Sequence, residues 1–385
     1  MERDMHYYGT YAMAVAAGIP QKDANVIAYA SQFTDDACEN GVVSSKDGTS
    51  IREVSTAHNK FQSVNDLLNS DIEGQRNTWV PFHFLPGGKG KTFDEKILCV
   101  KNSDIAKEMF NHYINEIFEH RIKLSCSADY NDNKDEYGLE LLGICAHVYM
   151  DTYSHYGFSG MCSEKNNVPH DTIKSTNKIF FDVIKKALKE LITEQNGIIS
   201  SIVDRFKEWL GLAQEVQKQI TEISEGMLGH ASVGVLPDLP YLDWEFEFEN
   251  QREDGRESKR NNQESFLEAC KNLHGYFAQV AQKCYGVQNV RSFREIEDTV
   301  KEMLISPYYI SKKRENKWLN SKLCPGIKPY KDVEPWKDAF KNPKRSEKAI
   351  STNFYRFHNA AAYHRDYVLN ELLPDEIKEC LPNTD

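Results

Sequence analysis

The chain has 385 residues, 40% hydrophobic and 27% charged, a balance that builds a packed globular fold and excludes general disorder. Its formal net charge of −11 argues against a general nucleic-acid coat, because neutralising phosphates takes Lys and Arg in excess, and no stable nucleic-acid complex is expected, though a local basic pocket stays open. No apolar run reaches the ~18 residues that span a bilayer, and MERDMHYYG at the start carries no basic-then-apolar secretory signal.

Nine scattered cysteines without a C-x-x-C pair point to reduced thiols and a cytoplasmic location. Residues 7–18 (YYGTYAMAVAAG) predict an Ala-rich helix that stops at Gly18. Asp4 and His6 flank its entry. They form either a frayed, solvated end or, because an Ala/Gly helix packs closely on its neighbours, a first turn carried into the interior. A second helix is predicted over 22–37, with Ala24, Ile27, Ala28 and Ser31 at helical spacing. Asp35 continues that stripe, and a carboxylate there needs a partner or a metal. Asp36 is rotated about 100° away toward polar surroundings. A simple helix-end turn accounts for the pair equally well.

Residues 40–58 read as a polar loop. In WVPFHFLPGGKGKTFDE, His83 stands between Phe82 and Phe84; it is either an exposed loop residue or a partly buried ligand. The following PGGKGKT lacks the G-x4-G-K-[ST] spacing of a phosphate-binding loop. Residues 103–122 predict a strong helix with Ile105, Met109, Tyr113, Ile117 and His120 along one side.

EYGLELLGICAHVYMDTYSHYG (136–157) predicts the central helix. Four-residue steps drift about 40° each, so His147, Asp151 and His155 share a face. Imidazoles flanking a carboxylate suit Zn²⁺ or another divalent transition metal, and the aspartate can bridge two ions. The plainer alternative is three hydrogen-bonded polar residues in a helical core. Cys145 reads as a small buried residue rather than a nucleophile.

Residues 171–225 predict an amphipathic helical hairpin, an insertion packed on a core made of 1–170 and 226–385. Residues 230–248 read as irregular and 250–263 as a charged connector. Helices are predicted at 264–284, 293–304 and 352–371, and 328–346 as a polar loop. KKRENK (312–317) and KNPKR (341–345) read as solvated basic faces. His358 and His364, six apart, are off-register for one helix face and read as structural or surface residues. The whole is an all-α, multi-helix bundle.

The order and spacing of His6, Asp35, His83 in "HF…GGKGKTF" and His147-x3-Asp151-x3-His155 resemble the zinc-dependent phospholipase C and single-strand nuclease superfamily, in particular a bacterial branch with H-x3-D-x3-H. The resemblance covers roughly residues 4–160 and 226–245. It implies a bundle of that type holding two or three Zn²⁺ ions and hydrolysing a phosphodiester in a phospholipid headgroup, a nucleotide or a nucleic acid. It implies further that His83, His147 and Asp151 hold one ion and His6 with bridging Asp151 a second. In secreted members a terminal amine is also a ligand; here Asp4 stands in as an oxygen donor. Asp35, with Asp36 as the fallback, would ligate metal or act as base on the attacking water. His155 with His230, and with Asp238 as a weaker addition, would hold a third ion. The competing readings are a non-catalytic helical protein with a structural metal and a membrane-active helical protein.

Overall fold

Apolar side chains run around the whole circumference of GLELLGICAHVYMD. The helix it forms, Gly138–Asp151, is buried at every position, as expected of a helix with no polar face. The computed structural model describes residues 1–57, 72–124, 136–169, 172–175, 228–233, 236–249, 256–305, 311–345 and 348–382. In chain order its longer helices are α1 (Thr10–Ala16, entered through a π-helical turn at Asp4–Gly9), α2 (Gln21–Asp36), α3 (Asp104–Phe118), α4 (Gly138–Asp151), α5 (Asn262–Tyr285), α6 (Glu297–Leu304), α7 (Ser311–Leu319), α8 (Glu334–Lys341) and α9 (Asn353–Tyr367). Helix α4 is the axis of the bundle, with α2, α3, α5 and α9 packed around it.

Local chemistry sets the ends of these helices. Ser103 caps α3 by accepting from the Ala106 N–H at 3.0 Å, and Asn261 caps α5 by accepting from the Glu264 N–H at 3.1 Å. Helix α5 closes on Gly286 at φ +68°, a left-handed terminus that glycine adopts without strain. Helix α4 stops at Asp151 because hydroxyls compete for its last carbonyls: Thr152 Oγ1 donates to Tyr149 O at 2.7 Å and Ser154 Oγ to Asp151 O at 3.4 Å.

Helices α2 and α4 approach closely at Gly143. A Cβ there would overlap the Ile27 carbonyl and lie 2.5 Å from Ala30 Cβ, so α2 and α4 touch backbone to backbone. Gly143→Ala is expected to lower stability by about 1–3 kcal/mol through overpacking, despite alanine's better helix propensity. Chemical denaturation of the two proteins measures it, and an unchanged midpoint would show that the helices separate freely.

The predominantly helical expectation holds, with two small sheets added. The predicted loop at 40–58 contains an antiparallel pair, β1 (Val42–Ser44) and β2 (Ser50–Arg52). A three-stranded antiparallel sheet joins β3 (Lys174–Ser175), β4 (Asp243–Glu245) and β5 (Lys259–Asn261), with Trp244 opposite Arg260. It therefore takes in parts of the predicted irregular segment and of the charged connector. The predicted loop at 328–346 holds α8, whose Trp336 and Phe340, four residues apart, bury one face. The basic run 312–317 lies on α7, and there Arg314 is 1% exposed rather than solvated. The predicted hairpin at 171–225 falls outside the described residues, except for the short piece that includes β3. No described helix is long and apolar enough to cross a membrane.

Candidate metal centre

Four imidazoles converge on one carboxylate. Asp151, at the end of α4, has Oδ1 3.1 Å from His6 Nε2; its Oδ2 lies 3.2 Å from His147 Nε2, 3.4 Å from His83 Nδ1 and 3.6 Å from His155 Nδ1. All five residues are buried, with Asp151 1% exposed. Helix α4 supplies His147 and Asp151 one turn apart. The turn at Asp4–Gly9 supplies His6, whose ring stacks on His147 at 3.9 Å between centroids. His83 follows the short helix Val80–Phe82. Asp35, in the last turn of α2, stands 3.8–3.9 Å from His6, His83 and His147, with its side chain 30% exposed.

A second cluster adjoins the first. His155 Nε2 is 3.2 Å from Asp238 Oδ1, and His230 Nε2 is 3.5 Å from Asp238 Oδ2. The Met1 amino nitrogen lies between the clusters, 2.6 Å from Asp151 Oδ1 and 3.1 Å from Asp238 Oδ1. Three sets of donor atoms thereby gather: His6, His147 and Asp151; Asp35, His83 and His147; His155, His230 and Asp238. Within each set the atoms lie no more than 4.8 Å apart. A cavity of about 180 Å³ opens on them, lined by Met1, Asp35, Trp79, His83, Asp151 and Asp238 among others, with no Lys or Arg among the described residues of its lining.

Proton placement shows what these groups are suited to hold. His83 Nε2–H donates to the Thr56 carbonyl at 2.8 Å, and His155 Nδ1–H donates to the His83 carbonyl at 2.8 Å. Each carbonyl accepts only, so it fixes the tautomer and leaves the lone pair of His83 Nδ1 and of His155 Nε2 facing the clusters. Both ring nitrogens of His6, Nδ1 of His147 and Oδ2 of Asp151 are buried without a hydrogen-bond partner. Buried polar atoms normally find one. Lone pairs facing lone pairs around ionisable carboxylates are resolved by divalent cations, so the donor set fits metal. With nitrogen and carboxylate oxygen donors it fits Zn²⁺ or a similar transition ion.

The electrostatics agree. Burial opposes ionisation of Asp151, but His155, the Met1 amine, His147 and His6 outweigh it and hold the carboxyl well below the usual carboxylate range. Burial likewise opposes ionisation of Asp238, and the Met1 amine, His230 and His155 hold it below the usual range. His6 is pushed down to about 4, by burial first and then by His147 and the Met1 amine, so its ring is neutral and able to ligate at physiological pH.

Of the residues expected from the sequence, His6, Asp35, His83, His147, Asp151, His155 and His230 are brought together, and Asp238 joins them. Asp4 and Asp36 do not. The Asp4 carboxylate turns to α7, where Arg314 Nε donates to it at 3.0 Å. The position expected to need an oxygen from Asp4 has the Met1 nitrogen beside it instead. Asp36 accepts from Gln32 Nε2 at 3.2 Å and is in none of the three donor sets. His155 does not share a helical face with His147, because α4 has ended; it reaches Asp151 from the turn that follows. Arg260 holds that turn by donating from Nη1 to Ser154 O at 2.8 Å and from Nη2 to Tyr156 O. Its guanidinium lies over the Tyr156 ring. Arg260 and Thr56 were not legible beforehand, since a backbone-carbonyl partner leaves no motif. The Gly-rich loop after His83 is not an open anion nest: Glu95 Oε2 accepts from the Lys91 and Thr92 N–H groups at 2.6 and 3.1 Å.

Compared with known protein families, residues 1–372 match the model described as "Family of unknown function (DUF6765)". The chain belongs to this family. No curated protein and no solved structure matches this DUF6765 chain.

Proposed function

We propose that this DUF6765 chain is a metal-dependent phosphodiester hydrolase, with a bundle of the zinc-dependent phospholipase C type and two or three Zn²⁺ ions. The observation that carries the proposal is the convergence of His6, His83, His147 and His155 on Asp151 beside an open cavity. His6, His147 and Asp151 would hold one ion and Asp35 and His83, with Asp151 shared, another; His155, His230 and Asp238 would hold a third. When bound, such ions polarise a phosphoryl group and lower the pKa of water. Among the described residues the cavity wall offers an anionic phosphodiester the Met1 ammonium, already paired with Asp151 and Asp238, and no Lys or Arg, so the metal set would carry most of the neutralisation. Asp35, the partly exposed carboxylate of the centre, would orient the attacking water and accept its proton. The carbonyls of Thr56 and His83 keep His83 and His155 in the ligating tautomer throughout turnover.

Elemental analysis of the purified chain together with hydrolysis of bis(p-nitrophenyl) phosphate tests the proposal. Two or more ions per chain are expected, with turnover lost on chelation and restored by Zn²⁺. A metal-loaded protein that hydrolyses neither this diester nor a phospholipid headgroup nor single-stranded nucleic acid is not such an enzyme, and a structural metal site becomes the better account.

A further inference from the structure

Helix α9 carries two fully buried histidines that touch no metal-donor set, yet each holds one of the two segments that meet at His83. His364 is 0% exposed; its Nε2–H donates to the Pro81 carbonyl at 2.8 Å, two residues before His83. Pro81 O only accepts, so the His364 proton is on Nε2. Its Nδ1 then accepts from the Tyr113 hydroxyl of α3 at 2.9 Å. The His364 ring also lies against Phe82, 5.1 Å between centroids. His358 is 2% exposed, and its Nδ1 accepts from the Val54 N–H at 3.0 Å. Val54 stands two residues before Thr56, whose carbonyl receives the His83 ring proton. Thr56 is tied in turn to the end of α2: its N–H donates to Ala37 O and its Oγ1 to Thr34 O, both at 2.8 Å. Those carbonyls bracket Asp35.

We propose that His358 and His364 are positioning residues for the donor set Asp35, His83 and His147. His364 fixes the backbone that launches the His83 side chain, and His358 fixes the segment after β2 whose Thr56 carbonyl sets its tautomer and aim. Neither ring can take the other's part. One must offer an acceptor to a backbone N–H, the other a donor to a backbone carbonyl. Burial keeps both neutral, pushing His358 down to about 3 and His364 to about 4. A carboxamide can replace each in its own sense: Asn presents an oxygen where His has Nδ1, and Gln presents an N–H where His has Nε2. Outer partners of metal-ligating histidines typically change metal affinity by about 10–100-fold.

The inference rests on the metal-centre reading, and the test separates the two. The full chain and the variants His364→Phe, His364→Gln, His358→Phe and His358→Asn are titrated with Co²⁺, following stoichiometry, affinity and the visible ligand-field spectrum, alongside thermal unfolding without metal. The expected result is that each Phe variant loses one ion, or binds it about 10–100-fold more weakly with an altered spectrum, and retains the ion of the His155, His230 and Asp238 set. Gln at 364 and Asn at 358 should restore it. Metal binding by the wild-type chain that is unaltered in folded Phe variants overturns the positioning roles and leaves the metal centre standing. Absence of binding by the wild-type chain overturns both. If a Phe variant does not fold, a folded His364→Asn or His358→Gln, each placing its amide at the wrong reach for the backbone group it must meet, should show the same selective loss; normal binding there also refutes the inference.

Discussion

Asp151→Ala is expected to leave a folded protein that has lost the metals of the main cluster together. The side chain removed lies within 3.6 Å of His6, His83, His147 and His155, so no neighbouring carboxylate takes its place. Asp35 is 3.8–3.9 Å from three of those rings but enters from the exposed side and does not reach between them. Turnover of a phosphodiester should fall by at least about 10²–10³-fold, the loss that follows removal of a single transition-state donor. The apo variant is also expected to be less stable, because the substitution takes from the buried Met1 ammonium its partner at 2.6 Å. The decisive readout is linkage: a ligand at 100 times its dissociation constant stabilises the native state by about 2.7 kcal/mol. Wild type should therefore show a thermal shift on adding Zn²⁺ that Asp151→Ala lacks, and Asp151→Asn, which keeps the shape without the charge, should behave like the alanine variant. An equal shift in both proteins would remove Asp151 from the centre.

Arg314→Met is expected to destabilise the chain by about 3–5 kcal/mol, the usual cost of stripping one partner from a buried ion pair. Arg314 donates to Asp4 from Nε at 3.0 Å, with both side chains 1% exposed, and also pairs with Glu2. Without the guanidinium, Asp4 is buried beside Glu2 with its main cation gone. Because Asp4 opens the turn that carries His6, the same change should loosen the His6 ligand and weaken the ion held with His147 and Asp151. Pairing Arg314→Met with Asp4→Leu should recover most of the stability, since buried ion pairs often exchange for apolar pairs at little net cost. Denaturant unfolding of the two single variants and the double variant closes the cycle. A single-variant loss below about 1 kcal/mol, the range of exposed ion pairs, would mean that the contact does not anchor the N-terminal turn.

The periodic segments were readable to within a few residues. Helix α2, predicted over 22–37, spans Gln21–Asp36, and the segment predicted over 103–122 forms α3 at Asp104–Phe118. In both cases a stripe of apolar residues leaves one burial solution. That His147 and Asp151 meet other polar groups inside the bundle followed from the same logic, because polar side chains on a helix that is apolar elsewhere must find partners there. Less legible were the segments whose structure depends on distant partners. Helix α8 was hidden in a polar stretch because only Trp336 and Phe340 mark its buried face. Arg314 looked solvated among lysines until α7 was placed against the N-terminal turn.

By itself the sequence determined a helical bundle, a buried central helix and a set of histidines and aspartates suited to hold divalent cations, because helical periodicity and the cost of burying polar groups act locally. Tertiary structure alone decided which of these groups meet. It turned Asp4 to Arg314 on a helix distant in the chain. It also set the Thr56 carbonyl and the His364 ring around His83 from segments 27 and 281 residues away. Backbone carbonyls and long-range ion pairs leave no periodic trace, since any residue can supply the first and any spacing the second.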